Sequence, residues 1–280
     1  MEISGFEIIS EKKSRTLEGR IFNNRLSNQY FSLTIFSIVL IVAELLSVYA
    51  PVWGVALHTI LLLFVLFYSA IMTRISPSSS KLFATLIPVP LIRIVSIASP
   101  LLLFTMVEWF LVISIMLFSS ILLCLRITGL PLKEYGFRMP ERRFYPLEFF
   151  IILLGLAFGF MEFNILNPTP ISSELTILGI FPPLLGLYFS TGLLEELLFR
   201  GLIQRHSTEC LGTIYGIAFT TFVFMIMHTG WQSVADIFFV GAVGAVYSVV
   251  VHRTGSIVGV SFSHAMVNIS LFVIAPTMLT

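Results

Sequence analysis

The sequence predicts an all-α polytopic integral membrane protein, a helical bundle with eight or nine transmembrane helices. Three observations predict it. Hydrophobic residues make up 57% of the 280 residues and charged residues only 11%, whereas about 25% is usual for a soluble domain. Mean hydropathy is +0.98. The stretches 26–43, 45–73, 175–194, 210–235 and 254–280 contain no Asp, Glu, Lys or Arg. About 20 apolar residues of helix cross a bilayer core. Backbone groups in lipid must pair internally, which leaves helices or closed barrels. These runs lack the alternation a barrel requires. The composition excludes a soluble enzyme, a disordered chain and a basic nucleic-acid binder, and the formal charge of +1 gives no field to recruit an anionic partner.

Residues 1–29 are polar and of mixed charge, too long a lead for a cleaved signal peptide. They read as a cytosolic N-terminal segment. Spans are expected near 30–50, 51–73, 82–99, 101–126, 147–165, 183–206, 211–229, 233–251 and 256–276. The third is the weakest, because Pro88, Pro90 and Arg93 make it a candidate broken or re-entrant helix. Residues 30–130 thus form an N-terminal group of helices and 131–146 a basic polar connection. Residues 147–280 form a second transmembrane bundle. With nine spans, the basic N-terminus, Arg74 with Lys81, the 126–143 connection, Arg205 and Arg253 all fall on one face, taken as cytosolic. Cys124 and Cys210 sit in or beside apolar stretches and read as packing residues.

A charge at mid-bilayer costs roughly 2.5–3.5 kcal/mol on insertion scales, so ionisable residues within spans need a reason. In the first half they are Glu44, His58, Arg93 and Glu108. They are scattered, form no short motif, and read as structural partners or interface residues. The second half is different. Residues 190–205 read STGLLEELLFRGLIQR. Glu196 and Arg200 lie four apart on one helix face and can neutralise each other. Glu195 points about 100° away and lacks a local counter-charge. Phe224 and His228 then read FxxxH, and His264 and Asn268 read HxxxN on the last span. At about 1.5 Å of rise per residue, Glu195, His228 and His264 lie roughly 18, 25 and 14 Å in from one face. Tilt and helix breaks can bring them to one depth. Small residues nearby, including Gly192 and Gly244, would permit close helix approach.

A buried carboxylate beside an imidazole can bind and deprotonate a water. A second histidine and an amide can stabilise an oxyanion. These are the parts of a hydrolase without a Ser or Cys nucleophile. Glu195 is the expected base, His228 orients the water or shuttles its proton, and His264 with Asn268 stabilises the tetrahedral intermediate. Glu196, Arg200 and Phe224 support the site. Zinc remains an alternative on the Glu–His–His set, although no HExxH is present. No cofactor is required by this reading. The expected partners are membrane lipid and a peptide or lipidated-protein substrate, with no nucleic acid.

The three motifs resemble those of the CAAX-protease and bacteriocin-processing (CPBP, or Abi) family, whose pattern is EExxxR, FxxxH, then HxxxN or HxxxD. Here they are Glu195-Glu196 with Arg200, Phe224 with His228, and His264 with Asn268, and Phe199-Arg200-Gly201 adds the FRG extension. The resemblance covers roughly residues 146–276. It implies an intramembrane, glutamate-dependent endopeptidase. The family's best-studied branch removes the last three residues of prenylated CAAX proteins, and other members act on bacteriocin leaders or C-terminal sorting signals. It also implies the first glutamate as catalytic base and the second as partner of the arginine. The cell membrane of a prokaryote is the expected location. Two alternatives stay open: a non-enzymatic scaffold or immunity protein on the same fold, and a proton-coupled transporter.

Overall fold

The computed structural model describes residues 29–99, 104–171 and 176–279. The expected N-terminal segment therefore lies outside the described residues, apart from Gln29. The chain divides into two compact units, Met1–Val39 and Leu40–Thr280. In the first, the described residues 29–39 are helical.

Proline and glycine set most element boundaries. Helix α1 (Gln29–Tyr49) ends just before Pro51, the first residue of α2 (Pro51–Ile75). At that position a missing N–H costs nothing. The third span is broken as expected: α3 (Pro77–Thr85) and α4 (Pro88–Ala98) flank Leu86 and Ile87, because Pro88 and Pro90 have no N–H to continue the ladder. Helix α5 (Met106–Thr128) opens on a capping box between Thr105 and Glu108 and ends at Gly129 with φ 72°. Glu108 is thus a helix cap.

The polar connection holds two short 3₁₀ turns, Leu132–Tyr135 and Arg142–Phe144. Burial pushes the Tyr135 phenol up from its ordinary pKa. Helix α6 (Tyr145–Leu166) follows.

Residues 177–211 are helical throughout but not regularly so. Helix α7 (Ile177–Leu187) passes into a π-helical stretch, Tyr188–Leu193, then one α-turn, α8 (Leu194–Glu196). A second π stretch, Leu197–Ile203, leads to α9 (Gln204–Leu211). The rest is α10 (Thr213–Ile226), α11 (Val234–Thr254) and α12 (Val258–Ile269). A π stretch, Ser270–Ile274, joins α12 to α13 (Ala275–Leu279).

Among the described residues eight helices are long and apolar enough to cross a membrane, and there is no strand. The expected span near 183–206, which is not among these eight, is the π-interrupted segment. The fold is an all-α polytopic membrane bundle. Its burial pattern is that of a protein solvated by lipid. Trp53, Phe67, Phe149 and Phe238 are exposed, while Glu44, Glu196, Arg200, His264 and Asn268 are buried. Cys124 is buried and its thiol donates to the Ala84 carbonyl.

Helix α12 is the hub, packed by α6, α7 and the Tyr188–Leu193 stretch. The basic connections meet at one end. Arg205 donates to the Glu134 carbonyl at 3.0 Å, and Arg138 donates to the Gly255 carbonyl at 2.9 Å.

Candidate active site

The two glutamates sit on the single α-turn between the π stretches. A π stretch widens the helix and leaves carbonyls short of partners, and such bulges concentrate at functional sites. Here Ser190 and Thr191 hydroxyls donate back to the Gly186 and Leu187 carbonyls at 2.7 and 2.6 Å. Gly192 lets this stretch lie against α12, since a Cβ there would stand 2.7 Å from the Ser261 carbonyl oxygen. The segment thus brings Glu196 to 2.8 Å and Glu195 to 4.0 Å from the His264 ring nitrogens of α12.

Glu196 and Arg200 pair at 2.8 Å, both fully buried as side chains. The same carboxylate oxygen, Oε1, accepts from His264 Nδ1 at 2.8 Å. Arg200 also donates to the Gly244 carbonyl at 3.1 Å. Its guanidinium lies over the Phe224 ring, 4.2 Å from the centroid. Gly244 makes this possible, because a Cβ there would come within 2.9 Å of both Arg200 and Phe224. Charge neutralisation, hydrogen bonds and a π face together compensate the cost of a buried ion pair.

Glu195 is treated differently by its surroundings. Its side chain is 26% exposed, against 0% for Glu196. Its Oε2 stands 4.0 Å from His264 Nε2, beyond hydrogen-bond range. His264 thus faces both carboxylates, bonded to one and open to the other.

His228 follows the end of α10, at φ −92° and ψ 3°. Its Nδ1 donates to the Phe224 carbonyl at 2.8 Å, which assigns the proton to Nδ1 and leaves Nε2 free. The Phe224 ring packs near both histidines, with centroids 4.7 Å from His228 and 6.2 Å from His264. The FxxxH spacing thus supplies a carbonyl for one histidine and a wall for both. Asn268 Nδ2 donates to Thr191 Oγ1 at 2.8 Å, tying α12 to the first π stretch.

Two cavities meet at these residues. A larger one of about 460 Å³ is lined by Glu195, His228, Arg93, Ser190 and Thr191, and otherwise mainly by apolar side chains such as Trp109, Phe110 and Ile113. A smaller one of about 40 Å³ is lined by His228, His264, Asn268, Glu162 and Tyr247 among others. His228 lines both.

Sequence reasoning missed Glu162, Tyr247 and Thr191. Glu162 is a buried carboxylate of α6 with no Lys or Arg within four residues. That isolation inside a span was the available signal. Thr191 and Tyr247 carry no such mark. As for a metal, among the described residues no three His, Cys, Asp or Glu side chains are grouped so as to hold an ion. His264 and His228 each engage Nδ1, with Glu196 and with the Phe224 carbonyl, and keep Nε2 as the remaining ring donor.

Fold and site together define a helical membrane protein with a carboxylate–imidazole cluster set between helices and open to an apolar cavity. Residues 177–270 match a protein-family model described as Rce1-like, type II CAAX prenyl endopeptidase Rce1-like. The match covers a third of the chain and contains all seven motif residues, and over this stretch it bears out the resemblance read from the motifs. The matched family is one of proteases. No curated protein and no solved structure matches the chain.

Proposed function

We propose that this protein is an intramembrane endopeptidase that cleaves a peptide bond by direct attack of water. The observation that carries the reading is that Glu195 and His228 line one apolar cavity while His264 bridges towards Glu195 from Glu196. The Rce1-like match over the same helices supports it.

In the proposed reaction Glu195 takes a proton from a water in the cavity, and the water oxygen attacks the scissile carbonyl carbon. His228, with Nε2 free, orients that water. His264 and Asn268 stabilise the oxyanion that forms. Collapse of the intermediate breaks the C–N bond, and the proton held by Glu195 passes to the departing amine through His228. Glu196, Arg200 and Phe224 hold His264 and the helix turn in place. No Ser or Cys nucleophile and no cofactor is used.

The apolar walls of the cavity suit a hydrophobic peptide or lipidated-protein segment approaching from lipid, and a prenylated CAAX-like C-terminus is one such substrate. The proposed setting is the cell membrane of a prokaryote, with the N-terminus and the basic end cytosolic. The test compares protein termini in membranes of a deletion strain complemented with wild type or with Glu195→Gln. Termini present only with wild type are expected. Identical terminal profiles in both, with both proteins expressed, would contradict the reading.

A further inference from the structure

The proposed reaction leaves Glu44, His58 and Arg93 unused, and the structure brings these three together. Glu44 and His58 are fully buried. Arg93 grips Glu44 in a two-pronged pair, Nε to Oε1 at 3.0 Å and Nη2 to Oε2 at 2.7 Å. His58 Nε2 lies 3.3 Å from Oε1. A buried ion cluster is weak evidence for a stabilising role, because apolar side chains of similar volume often hold helices as well. Its other bonds indicate what it does.

Two hydrogen bonds leave the cluster, and they end on the two residues flanking His228. Arg93 Nη2 donates to the Met227 carbonyl at 2.6 Å. Thr229 Oγ1 donates to Glu44 Oε2 at 2.8 Å. Helix α10 has already ended at Ile226, so this turn lies beyond the regular ladder. Gly230 leaves room for the guanidinium, since a Cβ there would stand 3.1 Å from Arg93 Nη1. Arg93 also lines the larger cavity with His228 and Glu195.

We infer that Glu44 and Arg93 are positioning residues, supplied by the N-terminal helices, that fix the Met227–Thr229 turn and through it the ring of His228. The inference rests on the proteolytic reading for what His228 does, but the restraint on the ring is measurable without turnover. It makes α1 and α4, which carry Glu44 and Arg93, part of the site.

The experiment uses the full chain in lipid nanodiscs with ¹⁵N-labelled histidine, the His228 resonances being assigned through His228→Gln. Wild type should show one tautomer at His228, protonated on Nδ1. Glu44→Gln with Arg93→Met should shift or split the His228 resonances and leave those of His264 in place, with the melting temperature close to wild type. On a cleaved peptide, kcat should fall by about a hundredfold, the scale of an ångström-level misplacement, with KM little changed. Arg93→Ala should regain activity when guanidinium is added. If the double variant does not fold, Thr229→Val and Arg93→Lys take its place, and each must still perturb His228. Unchanged His228 resonances in the folded variants would overturn the inference whatever their activity. A wild-type protein that cuts no peptide would instead count against the proteolytic reading, and the resonances would still decide the positioning.

Discussion

Two adjacent glutamates occupy opposite electrostatic situations, and substituting each should give a different signature. Glu195 lines a cavity and is partly exposed. Glu195→Gln should keep the melting temperature close to wild type while lowering kcat by about 10²–10⁴-fold, the usual contribution of a general base. Glu196 is fully buried and serves Arg200 and His264 with one oxygen. Glu196→Gln leaves Arg200 charged and buried without a counter-ion, a loss of about 3–5 kcal/mol of stability. Thermal unfolding in detergent should therefore separate the pair. Equal stability losses for both variants would show that the distinction between them is wrong.

At the scale of elements, the site depends on a helix that departs from regular α geometry on both sides of Glu195 and Glu196. The departure is held by close packing at Gly192. Gly192→Val should force the first π stretch away from α12, costing about 1–3 kcal/mol as overpacking does. It should also break the Thr191–Asn268 bond. A melting temperature and turnover equal to wild type would remove the π stretch from the account.

This element also marks how far the sequence could be read. The i,i+4 spacing of Glu196 and Arg200 gave their ion pair, because a helical face is a local property. The prolines at 88 and 90 gave the break between α3 and α4 for the same reason. The π stretches were not legible, since widening a helix depends on what packs against it. Nor was the Glu44–Arg93 cluster, whose members stand 49 residues apart in the chain. They meet the turn around His228 only in three dimensions. In the sequence Glu44, His58 and Arg93 look scattered because no spacing joins them.

For the whole molecule, the inverted burial pattern and the meeting of the basic connections at one end make an orientation test direct. In a Cys210→Ser background, Met139→Cys, in the basic connection, should be labelled only from the cytosolic side. Thr169→Cys, beyond the far end of α6, should be labelled only from the other. Reversed labelling would overturn the proposed orientation while leaving the fold intact. The larger cavity offers a second whole-molecule test. Ile113→Trp on its wall should raise KM for a hydrophobic peptide and change kcat less. A fall in kcat alone would mean that substrate enters elsewhere.

The central claim is that the Glu195 carboxylate activates a water for peptide hydrolysis between these helices. Its most direct measurement is the turnover of purified wild type and Glu195→Gln in nanodiscs on one peptide that wild type cuts, with the cleavage products weighed after reaction in ¹⁸O-water. The account predicts ¹⁸O in the new carboxyl terminus and a collapse of turnover in a variant that melts like wild type. Normal turnover by a folded Glu195→Gln protein would contradict it.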